Sequence, residues 1–472
     1  MRQLLLGAFA VLFVAACGDG GRSTTAGESF PSPLAEAELA TADPSTLVYW
    51  FGNPTAGHDV PVEVDRLFET IRRSPDDRWT PFLLDLATIP TPFSERAREA
   101  LANRLGDPGE LRVFGWVEKR GERKPAQDAP DYLAFKQRLF SAIQPEIGAF
   151  LDPKARRDIS AQEILWGGVR VDGIPPLESP KFVAPKDAAA WISVSDQVLG
   201  VEINGDARAY PRRIVDWHEM VNDTVGGVPV SLAYCTLCGS AILYDGRVGG
   251  TTYRFGTSGM LYRSNKLMYD RQTRTLWEQY TGVPVWGELA GSGIELELLP
   301  VTHTTYGEWL AEHPETKVLD IDTGFRRDYG SGVAYNEYFA SPQLMFPAPR
   351  QDERLKLKEV VFAVRLDGAL TAYPVKLLNE RGFVTDSIAG KRIVVLATAD
   401  GSGGRAYLTG ANTFTKFDRR KSVLTASDGR AWTVTESALL GESGQRLERL
   451  PGHNSFWFAV INLTENGRLF GE

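Results

Sequence analysis

Val198-Leu-Gly-Val-Glu-Ile-Asn-Gly205 and Val361-Phe-Ala-Val-Arg-Leu-Asp-Gly368 are nearly one text written twice, 163 positions apart. Each runs a mainly apolar stretch into Asn-Gly or Asp-Gly, the tight-turn signal of a β-hairpin. The recurrence continues without a gap. Ala209-Tyr210-Pro211 becomes Ala372-Tyr373-Pro374, and Asp223-Thr-Val-Gly-Gly227 becomes Asp386-Ser-Ile-Ala-Gly390. With small gaps, Tyr269-Asp270-Arg271 matches Phe417-Asp418-Arg419, and Leu299-Pro300 before His303 matches Leu450-Pro451 before His453. The ordered series predicts two related β-rich units, 162–345 and 346–472, an internal duplication packed as a pseudo-symmetric pair. A binding cleft is expected between them.

Within the first unit the pattern predicts a short helix over 211–221 and strands over 228–234, 241–244 and 251–255. Ahead of it, 44–161 reads as helical. Apolar residues recur at three- and four-residue spacing over 62–71 and again over 132–150, and Ser94 is placed to cap another helix. His58 stands alone there, so the region reads as a packing or docking module. The expected fold class is therefore α+β, a helical region followed by two β-rich units.

The amino terminus has a different character. Met1-Arg2 precedes an uncharged apolar run from Leu4 to Val14, and Val14-Ala-Ala-Cys17 closes it with small residues and a cysteine. The run is too short to span a membrane and reads as a signal peptide, 1–17, whose end resembles a bacterial lipobox. That resemblance implies export and a lipid on Cys17, anchoring the chain to the bilayer. Gly18 after the cysteine favours the outer membrane or cell surface over the inner membrane. Residues 18–43, rich in Gly, Ser, Thr, Ala and Pro, read as a flexible tether. With 52 Lys+Arg against 60 Asp+Glu and no basic block, nucleic acid is excluded as a partner.

Only two cysteines remain, in Tyr234-Cys-Thr-Leu-Cys-Gly239. The aligned second unit has Thr398 and Gly401 at their places and Arg381 at that of His218, so all three candidates are absent from it together. His303 and His453 fall at matched positions and read as structural. A thioredoxin-like pair needs a helix after the first cysteine, but Gly239 and Ser240 lead into a strand. A zinc ribbon needs a second Cys-x-x-Cys, and a zincin needs a second histidine after His218-Glu219. Neither is present.

Three chemistries stay open. In the first, Cys235, Cys238 and His218, with Met260 or Met268, hold a soft or borderline metal such as copper or zinc. In the second, Cys235 is the nucleophile of a hydrolase or transferase, with His218 as base and Asp216 or Asp270 orienting it. In the third, a Cys235–Cys238 disulfide stabilises a surface module that binds a small molecule, glycan or protein. Its cleft would be lined by Tyr262, Tyr269, Asp270, Arg271, Trp277 and Trp286. The metal site is the first expectation.

From Trp166 to Leu319 the chain resembles the bacterial domain-of-unknown-function 3179 family. The resemblance rests on Asp172-Gly-Ile-Pro-Pro-Leu177, Asp216-Trp-His-Glu-Met-Val-Asn-Asp223, Tyr234-Cys-Thr-Leu-Cys-Gly-Ser240, Phe255-Gly-Thr-Ser-Gly-Met-Leu-Tyr262 and Met268-Tyr-Asp-Arg-Gln-Thr-Arg-Thr-Leu-Trp277. Leu450-Pro-Gly-His-Asn-Ser-Phe-Trp457 is similar to its carboxy-terminal signature. The resemblance implies no activity. Relatives with Thr at the second cysteine position imply that Cys235 is the essential member.

Overall fold

Asn204-Gly205 turns the chain as its text requires. Both residues take positive φ (52° and 79°), and strands Gln197–Ile203 and Asp206–Pro211 pair antiparallel across them. Asp367-Gly368 (49° and 77°) does the same for Val360–Leu366 and Ala369–Pro374. The computed structural model describes residues 68–472 apart from 70, 75–76, 92 and 106–112. The signal peptide ending at Cys17, the tether 18–43 and His58 lie outside the described residues.

The fold is α+β. Its helices include Trp79–Thr88, Ser94–Leu105, Val113–Arg120 and Pro130–Ile143. The single helix expected over 132–150 is two, because Pro145 holds Gln144 in extended backbone (ψ 128°) and opens Pro145–Ala149. Ser94 begins its helix, but its hydroxyl donates back to Ile89 O (2.7 Å), tying down the preceding loop. A buried ion pair between two of the helices also ties them to the first unit. Lys136 Nζ lies 2.9 Å from Asp85 and donates to Ile164 O at 2.6 Å, satisfying a charge that would otherwise be costly to bury. No helix among the described residues is long and apolar enough to cross a membrane.

The first unit holds three five-stranded sheets. One runs Thr302–Thr305, Gln197–Ile203, Asp206–Pro211, Lys317–Leu319, Phe182–Val183; another runs Leu298–Leu299, Ser240–Asp245, Val228–Cys235, Met220–Val225, Leu177–Glu178. The third sheet, centred on Phe255–Tyr262 and Asn265–Asp270, is tied to the second by Asn222 Nδ2 donating to Phe255 O (2.8 Å). In the second unit, Gly452–Phe456, Val360–Leu366, Ala369–Pro374 and Gly467–Leu469 form one sheet, and an eight-stranded sheet begins at Phe383–Ile388. The expected strand over 251–255 is only Thr251–Thr252, and the helix over 211–221 stops at His218.

Hydrogen bonds recur at the offset of 163. Tyr210 Oη donates to Asp223 (2.7 Å), and Tyr373 Oη to Asp386 (2.7 Å). Met220 pairs with Ala233, and Phe383 with Leu396. The amide of Tyr234 donates to Glu219 O, and that of Ala397 to Gly382 O, both at 2.9 Å. The histidines depart from this pattern. His303 pairs with Leu199, whose counterpart Phe362 pairs with Asn454, not His453. A one-residue shift turns a strand residue to the other face, so the structural counterpart of His303 is Asn454.

The units also clasp each other. Phe456 of the second donates its amide to Cys238 O of the first (2.7 Å), and Ser402 Oγ of the second donates to His303 O (3.2 Å). One continuous apolar core takes residues from the helices and from both units.

Candidate functional site

Cys235 ends the strand Val228–Cys235 and pairs with Ser240, which begins Ser240–Asp245, so the Cys-x-x-Cys forms the tip of a β-hairpin. The Cys238 amide donates to Cys235 O (3.1 Å), as Gly401 does to Thr398 O (3.0 Å) in the second unit. Gly239 is needed twice over. Its φ is +58°, and a Cβ there would stand 3.1 Å from the Phe456 ring.

Both cysteines are free and buried, with their Sγ atoms 3.0 Å apart. Asn265 Nδ2 donates to Cys238 Sγ (3.3 Å). Burial, reinforced by the neighbouring Cys235, pushes the Cys238 thiol well above its usual range. Cys235 opens on a cavity of about 50 Å³ that is also lined by Glu219, Met260, Lys266, Tyr335 and Met345. That is room for an ion or a few waters, at ~10–15 Å³ each, and not for an organic substrate.

The cavity holds two charged side chains that the sequence reading missed. Lys266 Nζ donates to Glu219 O and stands 3.9 Å from the Glu219 carboxylate. Burial pushes the Glu219 carboxyl up and the Lys266 ammonium down, and their mutual attraction opposes both. Glu219 reaches this place because it takes φ +54° directly after the helix Arg212–His218. That turn accounts for the fate of His218.

His218 does not join the thiols. Its Nδ1 lies 2.7 Å from Pro175 O and its Nε2 2.6 Å from Tyr329 Oη. A carbonyl only accepts, so Nδ1 carries the proton and Nε2 accepts from the tyrosine. Burial lowers its pKa further, leaving a neutral ring with both nitrogens engaged. Nor do the proposed orienting groups touch it. Asp216 lies 3.4 Å from Arg212 Nε, and Asp270 accepts from Trp277 Nε1 (2.8 Å) and from Thr273.

Of the proposed methionine ligands, Met260 shares the cavity with Cys235; Met268 is buried in the core and is not on its wall. Met345, not chosen from the sequence, is on the wall. The cleft residues are also redirected. Tyr262, Tyr269, Asp270, Trp277 and Trp286 are buried, and Arg271 is paired with Asp172 (3.2 Å) and Glu178 (3.1 Å). They form structural contacts because their strands are covered on both faces. In another cluster of metal-ligating types, Glu312, His313 and Glu436, the two carboxylates are already paired with arginines. Arg405 reaches both carboxylates at 2.5 Å, and Arg449 adds a contact to Glu436 at 3.3 Å.

A family model described as "Protein of unknown function (DUF3179)" matches residues 171–467, more than half of the chain and parts of both units. The chain belongs to this family. The match spans the hairpin, most of its cavity and the clasping strand Gly452–Phe456, so it reaches across both units. No curated protein and no solved structure matches the chain.

Proposed function

We propose that this family member is an exported, lipid-anchored protein that holds one soft metal ion, copper(I) before zinc, between Cys235 and Cys238. One observation carries the reading: two free thiols 3.0 Å apart beside an ion-sized cavity, walled by Met260 and Met345 and closed to organic substrates. Thiolate and thioether sulfurs suit copper(I). Two thiolates around a monovalent ion leave one negative charge, and Lys266 on the same wall offsets it when Glu219 is protonated, the form that burial favours. Both thiols must lose their protons, so loading releases protons and weakens in acid. Export and anchoring rest on the lipobox at Cys17.

We also read the two units as products of an internal duplication. The recurring registers and the matched Tyr-Asp bonds support it. Under that reading the second unit retains the scaffold, while the first alone carries the thiols, Glu219 and His218.

The deciding measurement is elemental analysis with a free-thiol count on protein purified anaerobically under reducing conditions. Near-stoichiometric metal is expected, lost in Cys235→Ser and Cys238→Ser. Retention is expected in His218→Ala, since that ring is engaged elsewhere. A metal-free protein with a quantitative, inert Cys235–Cys238 disulfide overturns the proposal in favour of a binding module stapled at its hairpin.

A further inference from the structure

Beyond the thiols, on the far side of the hairpin tip, a cleft of about 560 Å³ lies between the two units. Its walls include residues at matched positions of both units: Gln197 with Val360, Gly239 with Ser402, and His303 with Asn454. The volume is that of a metabolite site, in the range of roughly 300–1,000 Å³.

The charges on its walls are unbalanced. Arg212, Lys356 and Lys358 face it, against the single carboxylate of Glu359. Arg212 has one long ion-pair contact (3.4 Å) to Asp216 and lies over the Phe339 ring at 4.7 Å. Lys358 Nζ donates to two carbonyls, Tyr338 O and Ser341 O (2.7 Å), and lies 3.7 Å from the centre of the Tyr338 ring. Neither it nor Lys356 has an ion-pair partner among the described residues. Two wall residues also carry open hydrogen-bonding atoms. Asn454 is 5% exposed and donates through Nδ2 to Ser402 O (2.6 Å), but its Oδ1 accepts from nothing. His303 Nε2 is likewise without a partner. A buried amide oxygen left open is costly, and a ligand hydroxyl would satisfy it.

We propose that this cleft binds a small hydroxylated organic anion. The lysines and Arg212 take its carboxylate or phosphate, and Asn454 accepts from a hydroxyl. The apolar part of the wall, Phe339, Pro342 and Phe456, covers its skeleton. The proposal does not depend on metal at Cys235 and Cys238.

Isothermal titration of the full chain with glucose, glucuronate and glucose 6-phosphate tests it, since the three share a hydroxylated ring and differ in charge. At least one anion should bind, glucose at least about tenfold more weakly, and the better anion names the group preferred. Added salt should weaken the anion. Lys356→Ala with Lys358→Ala should cost at least about tenfold in affinity while metal content, the control for a folded protein, stays as in the wild type. Asn454→Leu should weaken the anions without abolishing the preference for charge. Glucose binding as tightly as the anions, unchanged affinity in the double lysine variant, or no binding of any of the three overturns the proposal. Loss of metal in Cys235→Ser with anion binding intact separates the two sites.

Discussion

At Glu219 the chain takes φ +54°, a left-handed conformation that its counterpart Gly382 adopts at φ +81° without a Cβ to clash. For a glutamate this costs about 1–2 kcal/mol. Strain of this kind marks positions retained for their side chain, and here the side chain is one wall of the cysteine cavity. Glu219→Gly relieves that strain but leaves the buried Lys266 without its carboxylate partner, so it should melt lower than the wild type and also hold metal less tightly in competition with a chelator. Lower melting with unchanged metal retention would assign Glu219 to the scaffold instead. Cys235 and Cys238 were legible in the sequence because thiols are scarce and the second unit lacks them. The roles of Glu219 and Lys266 were not. Lys266 occupies a strand whose other residues are all buried, and a lysine there reads as an edge residue until its partners are known. His218 drew the attention that belonged to its neighbour, because a positive φ cannot be foreseen at a glutamate.

At the scale of elements, the hairpin tip depends on a contact made from the other unit. Gly239 has φ +58°, and the face of the Phe456 ring occupies the space a side chain would need. Gly239→Ala should destabilise the protein by about 1–2 kcal/mol through the left-handed conformation alone, read as a lower urea midpoint. It should also raise thiol labelling, because the ring must give way by a few tenths of an ångström and packs less closely on the tip. A variant with wild-type midpoint and labelling would show the tip to be free. The hairpins themselves were readable, since Asn-Gly, Asp-Gly and the alternation around them state both turn and register. The strands that clasp across the units were not. Aligning His303 with His453 is natural in sequence, but the partner strands pair one residue out of step, and a slip of one exchanges the two faces of a strand. Asn454 was therefore missed as a wall of the cleft.

Taken whole, the molecule is held together at its waist by groups whose charge changes in acid. Burial would raise the Glu436 carboxyl, but Arg405 and Arg449 hold it at about 2, and it accepts from Thr302 of the first unit (2.8 Å). A carboxyl depressed below its ordinary value of about 4.5 contributes stability above that pH, and the contribution is lost as the pH falls through about 2. His453 acts earlier. Burial lowers it from 6.5 to about 3, so the unfolded chain takes up its proton first and stability declines once the pH drops below 6.5. The decline from this ring should reach about 2 kcal/mol at pH 5. Urea unfolding at pH 7.5 and pH 5 should show it as a lower midpoint, reduced in His453→Asn. Equal midpoints at the two pH values would mean that the ring is not buried neutral. The paired hairpins were visible in sequence as a text repeated at constant spacing. The cleft between the units was expected in place but not in lining, since its walls come from loops and strand ends whose partners lie in the other unit.

The bond from the Phe456 amide to Cys238 O also imposes an order of events on biosynthesis. Whether it emerges from the ribosome or across a membrane, the chain presents Cys238 before Phe456, so during that interval the thiols have no lid. Any ion destined for the hairpin can enter then without displacing protein, and any oxidant can reach the sulfurs equally well. Arrival of the last strand closes that window. The state captured at closure, loaded, empty or oxidised, then changes only as fast as the strand lifts from the hairpin.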